Sequence, residues 1–221
     1  KRYAARHARA IARDRATPTL QVERAMREGS ETTHYSVVDA SGNAVATTTT
    51  INDLFGSGFY VSGAGFFLNN TMDDFAAQPG TANLFGLVQG EVNAIAPGKR
   101  ALSAMSPTIV LDPAGKLLLI TGARGGPRII TTTTQVILNV IDHRMSLADA
   151  MSAPRIHHQA LPDSIRVEPG GLDSAVVRRL GAMGHSIYQP PSSGRVVSIM
   201  RVKGGYEGMD DPRATGAAVG Y

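Results

Sequence analysis

An α+β fold, with layered antiparallel sheet and helices on the outside, is what the chain predicts, and three features carry the expectation. From Thr33 the apolar pattern repeats every two residues and is broken by turn sequences. Two other stretches, 128–143 and 172–183, repeat at helical spacing instead. Two-residue periods beside separate helices argue for such layers. The composition agrees: 24 glycines and only 5% aromatic residues suit a turn-rich fold packed on aliphatic side chains.

Taken in order, residues 3–15 are rich in Ala and Arg and predict a helix, which Thr17-Pro18 stops. Residues 17–31 are polar and read as a linker, with Gly29-Ser30 near its end. A strand over 33–39 follows, with Tyr35, Val37 and Asp39 facing one way and His34, Ser36 and Val38 the other. Ser41-Gly42-Asn43 turns the chain, and residues 44–50 return as the second strand of a hairpin. A second hairpin pairs 108–111 with 117–121 around Asp112-Pro113-Ala114-Gly115; its strands are nearly all apolar, so burial on both faces is expected. After Gly122 to Pro127 comes a helix to about His143, with Pro127 suited to its start and Ile129, Ile130, Val136, Ile137, Val140 and Ile141 as its apolar stripe. Ser146 caps a short helix, with Asp149 three residues on. Gly184 ends the helix over 172–183. Strands are expected near 165–168, 185–189, 196–202 and 206–209, and the chain shows no internal repeat.

Charge divides the chain at the same point as the pattern. Residues 1–31 carry eight Lys/Arg against four acids, whereas 32–221 balance fourteen against fourteen. The basic leader reads as a solvated helix face, with Tyr3 its single tyrosine and no Phe or Trp to stack on bases, and nucleic acid is not an expected partner. The absence of Cys excludes disulfides and thiolate metal sites. No apolar run approaches a membrane span. No signal peptide opens the chain, but Lys1 is not a natural start, so an upstream portion is expected. No G-x-S-x-G elbow, Walker loop or H-E-x-x-H occurs, and no cofactor or metal is expected. His157-His158 are adjacent, so on a strand they point to opposite faces and are expected to be structural. Gly63-Ala64-Gly65 is a turn, because no helix follows it.

One pair of residues remains for chemistry. A chain-terminal Thr carries its own general base, because an α-amino group with a pKa near 7.7–8.0 is partly unprotonated at neutral pH. Cleavage between Glu31 and Thr32 would make Thr32 such a nucleophile. Its hydroxyl could make the cut itself, by attacking the Glu31 carbonyl, shifting the acyl group onto oxygen and releasing it to water. Taken alone, Thr32-Thr33 reads first as a β-branched strand start.

The longer motif TTHYSVVDASGNAVATTTTIN, starting at Thr32, resembles the start of the small subunit of gamma-glutamyltranspeptidases. FFLNNTMDDFAAQPG, GKRALSAMSPTIV, GARGGPRIITTTTQVILNVID, APRIHHQALPD and DPRATGAAVGY extend the resemblance, in the family's order, over essentially all of 32–221. The leader YAARHARAIARDRATP resembles the end of the family's large subunit. The resemblance implies two units, 1–31 as large-subunit tail and 32–221 as small, catalytic subunit. It implies an N-terminal-nucleophile hydrolase fold, a four-layer αββα sandwich with two stacked antiparallel sheets. It also implies an autoprocessed threonine hydrolase that cleaves γ-glutamyl amides such as glutathione. Its γ-glutamyl ester passes to water, an amino acid or a peptide. The large subunit of the same precursor is the implied partner, and the periplasm or the outside of the cell the implied location.

Residue by residue, the resemblance makes Thr32 the nucleophile, Glu31–Thr32 the scissile bond and Thr50 the nucleophile's hydrogen-bond partner. It makes Asn52 and Asp74 holders of the donor's α-amino group, and Ser103 a contact to its carboxylate. Gly125 and Gly126 become the oxyanion hole. Four positions depart from the family pattern. Ala104 replaces a second serine, and Thr71 replaces a Glu or Gln that helps hold the amine. Arg124 replaces a proline. Phe85 stands in the lid stretch, Pro79 to Gly90, where several relatives have a tyrosine. The family's pocket also takes an arginine from the large subunit, for which Arg124 could in part substitute. Together the departures leave the nucleophile intact and alter donor recognition. A glutaryl or cephalosporin acylase is the rival enzyme reading, and a non-catalytic or unprocessed homologue the rival from another class.

Overall fold

The computed structural model describes residues 2–16 and 32–220; the linker and Glu31 lie outside the described residues. Helix α1 (Arg2–Ala10) is followed by the hairpin strands β1 (Thr32–Val38) and β2 (Ala44–Thr50). Two short strands, β3 (Tyr60–Val61) and β4 (Phe66–Phe67), precede β5 (Thr108–Leu111) and β6 (Leu117–Arg124). Then come α2 (Arg128–Ile141), α3 (Leu147–Ser152), β7 (Ile156–His157), β8 (Ile165–Val167) and α4 (Ser174–Ala182). The chain ends on β9 (Ile187–Tyr188), β10 (Arg195–Val202) and β11 (Gly205–Asp210).

The β1–β2 turn is closed by the Asp39 carboxylate, which accepts from the Ser41 N–H at 2.9 Å, the Asn43 N–H at 2.8 Å and the Asn43 side chain at 2.7 Å. The antiparallel register that follows sets Thr32 opposite Thr50 and Val38 opposite Ala44. This hairpin stacks on β6 and β10 of a four-stranded antiparallel sheet in the order β11-β10-β6-β5. The closest approach is at Gly122, where a Cβ would overlap the His34 imidazole, so β1 seats on β6 only because that position lacks a side chain. The ring bonds Thr48 at 2.7 Å and Ser36 at 3.1 Å, and burial pushes its pKa down to about 4. Helices α2 and α3 cover the other face of the sheet, and Leu119, Ala123 and Val196 meet Ile129, Val136, Leu147 and Met151 in the buried core. Hairpin, sheet and helices are three of the four expected layers. No helix among the described residues covers the outer face of the hairpin, where Tyr35, Val37 and Val45 are about half exposed. None is long and apolar enough to cross a membrane.

Several expectations need correction. Helix α1 stops at Ala10 rather than at 15, because the Ala16 N–H is drawn to the Met183 carbonyl at 2.7 Å, beside the end of α4. Strand β6 runs on through Gly122 to Arg124, since β10 pairs with it as far as Arg195 opposite Arg124. The second hairpin is buried on both faces only along β6; β5 is an edge strand with Ile109 and Leu111 exposed. On α2, Ile130 and Ile141 lie outside the buried stripe. One pair is parallel: β8 pairs with β9 through the crossover α4, in a small satellite sheet with β7. The Ser146 cap forms as expected, accepting from the Asp149 N–H at 3.1 Å.

The terminal DPR motif is locked into the body by charge. Asp211 contacts Arg155 at 2.8 Å and Arg213 at 3.3 Å, Arg213 also meets Glu168 at 2.7 Å, and both guanidiniums donate to the Met151 carbonyl. Asp211 is almost fully buried and accepts from the Val196 N–H at 2.8 Å. Removing one member of a buried set strands the others. Asp211→Ala is therefore expected to cost about 3–5 kcal/mol, read as a lower urea midpoint at unchanged slope. A loss below about 1 kcal/mol would show the set to be dispensable.

Candidate active site

Thr32 opens β1 facing inward and is only 7% exposed, while Thr33 points to the exposed face. Direct pairing brings the Thr50 side chain alongside, and the Thr32 hydroxyl donates to Thr50 Oγ1 at 3.1 Å. Thr50 Oγ1 also accepts from the Asn52 N–H at 2.9 Å. That bond requires the chain to leave β2 sharply, and Asn52 takes φ +78, a left-handed value that Asn tolerates better than most residues. The Asn52 side chain donates to the Asn70 carbonyl at 3.3 Å, which ties the end of the hairpin to the segment before Asp74.

These residues line one end of a cavity of about 300 Å³. Asp74, at the end of a 3₁₀ turn (Thr71–Asp74), lines it too, and burial, with Asp73 beside it, pushes its pKa up to about 6. Ser103 and Ala104 come from an irregular stretch before β5. The floor is the junction of β6 and α2, where Gly125 and Gly126 have φ +129 and +58. A Cβ on Gly126 would stand 2.9 Å from the Phe85 ring, so the close approach of the aromatic also requires glycine there. Backbone N–H groups at such a junction, just before the α2 N-terminus, suit a developing negative charge. Phe85 is buried and forms part of the wall, along with Leu87, Leu102, Met105 and Ile130.

Thr32, Thr50, Asn52, Asp74, Ser103, Phe85 and Gly126 thus share one cavity, with Gly125 adjoining. Two positions do not. The Thr71 hydroxyl lies outside the lining and donates to Asn69 Oδ1 at 2.6 Å. Arg124 faces a separate hollow with Thr33, His34, Arg195 and Val197, so it does not supply a cation to the cavity of Thr32. Side-chain alternation along β6 aims it there. Glu31 lies outside the described residues.

His157 and His158 both line the cavity, together with Gln159 and Thr131, and their burial alternates as opposite-facing neighbours do, His157 being buried and His158 exposed. His157 is buried and bonds Thr131 at 2.8 Å and Gln159 at 2.8 Å, and burial lowers its pKa. His158 meets Asp163 at 3.3 Å. Sequence reasoning missed Gln159, although a signal was available: alternation puts residues 157 and 159 on one side of the same extended segment.

The family model described as Gamma-glutamyltranspeptidase matches residues 1–221. The glutathione hydrolase proenzyme of Escherichia coli (strain K12) is 46% identical over 218 residues, which is 97% of this chain and 37% of that protein. The chain therefore spans less than two fifths of that relative. A solved gamma-glutamyltranspeptidase of Helicobacter pylori has TM-score 0.78 and 50% identity, covering 82% of this chain and 100% of that one. That of Pseudomonas nitroreducens has TM-score 0.79 and 44% identity, covering 86% and 99%. A cephalosporin acylase from Bacillus halodurans shares the fold, with TM-score 0.74 at 24% identity over 96% of this chain and 37% of that one. On its sequence, its α+β architecture and these matches, the chain belongs to the gamma-glutamyltranspeptidase family of N-terminal-nucleophile hydrolases.

Proposed function

We propose that residues 32–221 are the catalytic portion of an autoprocessed γ-glutamyl hydrolase and transferase, preceded in 1–31 by the tail of its large subunit. The observation that carries this is the Thr32–Thr50 hydroxyl pair, at 3.1 Å, at the end of a cavity with Asp74 and Gly126.

In this reading the freed α-amine of Thr32 takes the proton from its own hydroxyl as the oxygen attacks the γ-carbonyl of the donor. Thr50 accepts the Thr32 hydroxyl and keeps it aimed. The N–H groups of Gly125-Gly126 hold the oxyanion. The leaving amine collects the proton, and a γ-glutamyl ester remains on Thr32. Water, or the amine of an amino acid or peptide, then attacks the ester and restores the hydroxyl. Asp74 and Asn52 hold the donor's ammonium, Ser103 its carboxylate, and loop 79–90 with Phe85 closes over them. Glutathione is the expected donor, the large subunit of the same precursor the partner, and the periplasm or cell exterior the location.

Two observations keep the acylase reading as the alternative. Ala104 lines the cavity without a hydroxyl, and Arg124 faces away. A pair of anilides separates the readings. The γ-glutamyl anilide is expected to be turned over well above the glutaryl one. Its KM should rise as pH falls through about 6, because Asp74 must be ionised to hold an ammonium. The glutaryl anilide has no ammonium, and its KM should not follow. Preference for the glutaryl anilide would favour the acylase, and turnover of neither by the whole protein would favour a non-catalytic homologue.

A further inference from the structure

Gln159 joins two walls of the cavity and has no part in the mechanism above. Its side-chain amide uses both N–H groups, donating to the Phe85 carbonyl at 3.0 Å and to the Leu161 carbonyl at 3.0 Å. That settles the amide's orientation, so its oxygen faces His157 Nε2 at 2.8 Å. An oxygen there needs a donor, and His157 must carry its proton on Nε2. The bare Nδ1 then accepts from the Thr131 hydroxyl at 2.8 Å. Burial, which lowers the His157 pKa, favours this neutral ring. A continuous relay therefore runs from the first turn of α2 through His157 and Gln159 to the backbone of loop 79–90.

The loop has a second anchorage, on the turn that precedes it. Asn83 Oδ1 accepts from the Phe85 and Leu87 N–H groups at 3.0 Å each, and Asp73 Oδ2 from the Leu84 N–H at 2.9 Å. The Asp73 bond ties the loop to the turn that carries Asp74, the Asn83 bonds brace the loop from within, and Gln159 ties its tip to the α2 side. Phe85, braced at its N–H by Asn83 of its own loop and held at its carbonyl by Gln159, stands against Gly126.

We propose that Gln159 is a positioning residue: it holds the Phe85 tip of loop 79–90 down over Gly126 and so sets the width of the cavity. Only the kinetic half of this rests on reading the cavity as the acyl-donor site. Two variants separate the bonds. Gln159→Glu keeps an acceptor for His157 and loses both donors, and Gln159→Leu loses all three bonds.

Hydrogen exchange on the processed, complete protein gives a readout that needs no activity. In both variants amides of 79–90 should exchange about five- to tenfold faster, the equivalent of about one hydrogen bond, with 117–124 and 195–202 unchanged. With the γ-glutamyl anilide, KM should rise about five- to tenfold with kcat within about threefold, since a loosened wall weakens ground and transition states alike. Unchanged exchange in 79–90 would overturn the proposal. So would exchange raised equally across β6 and β10, which marks a merely structural residue, or a fall in kcat at unchanged KM. If the anilide is not a substrate, faster exchange confined to 79–90 still supports the latch while the catalytic reading fails alone.

Discussion

Thr32→Ala in the complete precursor is expected to leave one uncut chain and to lower γ-glutamyl anilide turnover by about 10⁴-fold or more, as loss of a covalent nucleophile does. The change removes only the hydroxyl that donates to Thr50 and one methyl, so the fold is expected to remain. Thr32→Ser retains the hydroxyl and should still cut and turn over. Thr33→Ala should cut and keep activity, because Thr33 faces the exposed side, toward the hollow of Arg124 and Arg195. Intact mass reads the cut, and N-terminal sequencing of the small fragment reads its position. A fragment starting at any residue other than Thr32 would name a different nucleophile, and cutting by the Ala variant would show that another group performs the cleavage.

The second large effect is expected at Gly126. An Ala there combines a left-handed φ of +58 with a Cβ 2.9 Å from the Cδ1 and Cε1 atoms of Phe85. The backbone strain costs about 1–2 kcal/mol, a modest part of the stability of a domain. Catalysis is far more exposed, because the same backbone turn aims the N–H groups proposed to hold the oxyanion. A fall in kcat of about 10²–10³-fold is expected, with a drop of only a few degrees in melting temperature. Adding Phe85→Ala removes the colliding ring and should recover part of kcat, a coupling expected of residues in contact. If Gly126→Ala keeps full kcat, the oxyanion is held elsewhere.

Local rules made much of this fold legible. The β1–β2 hairpin follows from period two and an Asp39-closed turn, and the start of α3 from a Ser cap three residues ahead of an acid. What eluded the sequence depends on distant partners. The end of α1 is decided by Met183, the exposure of β5 by its place at the sheet edge, and the parallel β8–β9 pair by where α4 sets its return strand. In the candidate site, Thr32, Thr50, Asn52, Asp74, Ser103, Phe85 and Gly126 were marked by motif and do line one cavity. Arg124 and Thr71 were named by position in a motif, but the direction of a side chain depends on the strand or turn it leaves. Gln159 was passed over because its significance lies in a bond to a carbonyl 74 residues away.

The threonine run at the end of β2 has a consequence for how this hairpin can change its length. Thr47 to Thr50 offer four chemically equal rungs to the strand that carries Thr32. A slide of two would present Thr48 in place of Thr50 with the same face inward, whereas a slide of one would turn every side chain over. Hydroxyl chemistry cannot tell the rungs apart. The count begins instead at Asp39, whose carboxylate grips both Ser41 and Asn43, and it is checked at His34, which bonds Thr48. The hairpin is in effect a ruler with identical graduations and one zero mark. The length of segment 39–43, more than the identity of any residue in the run, selects which threonine stands beside Thr32.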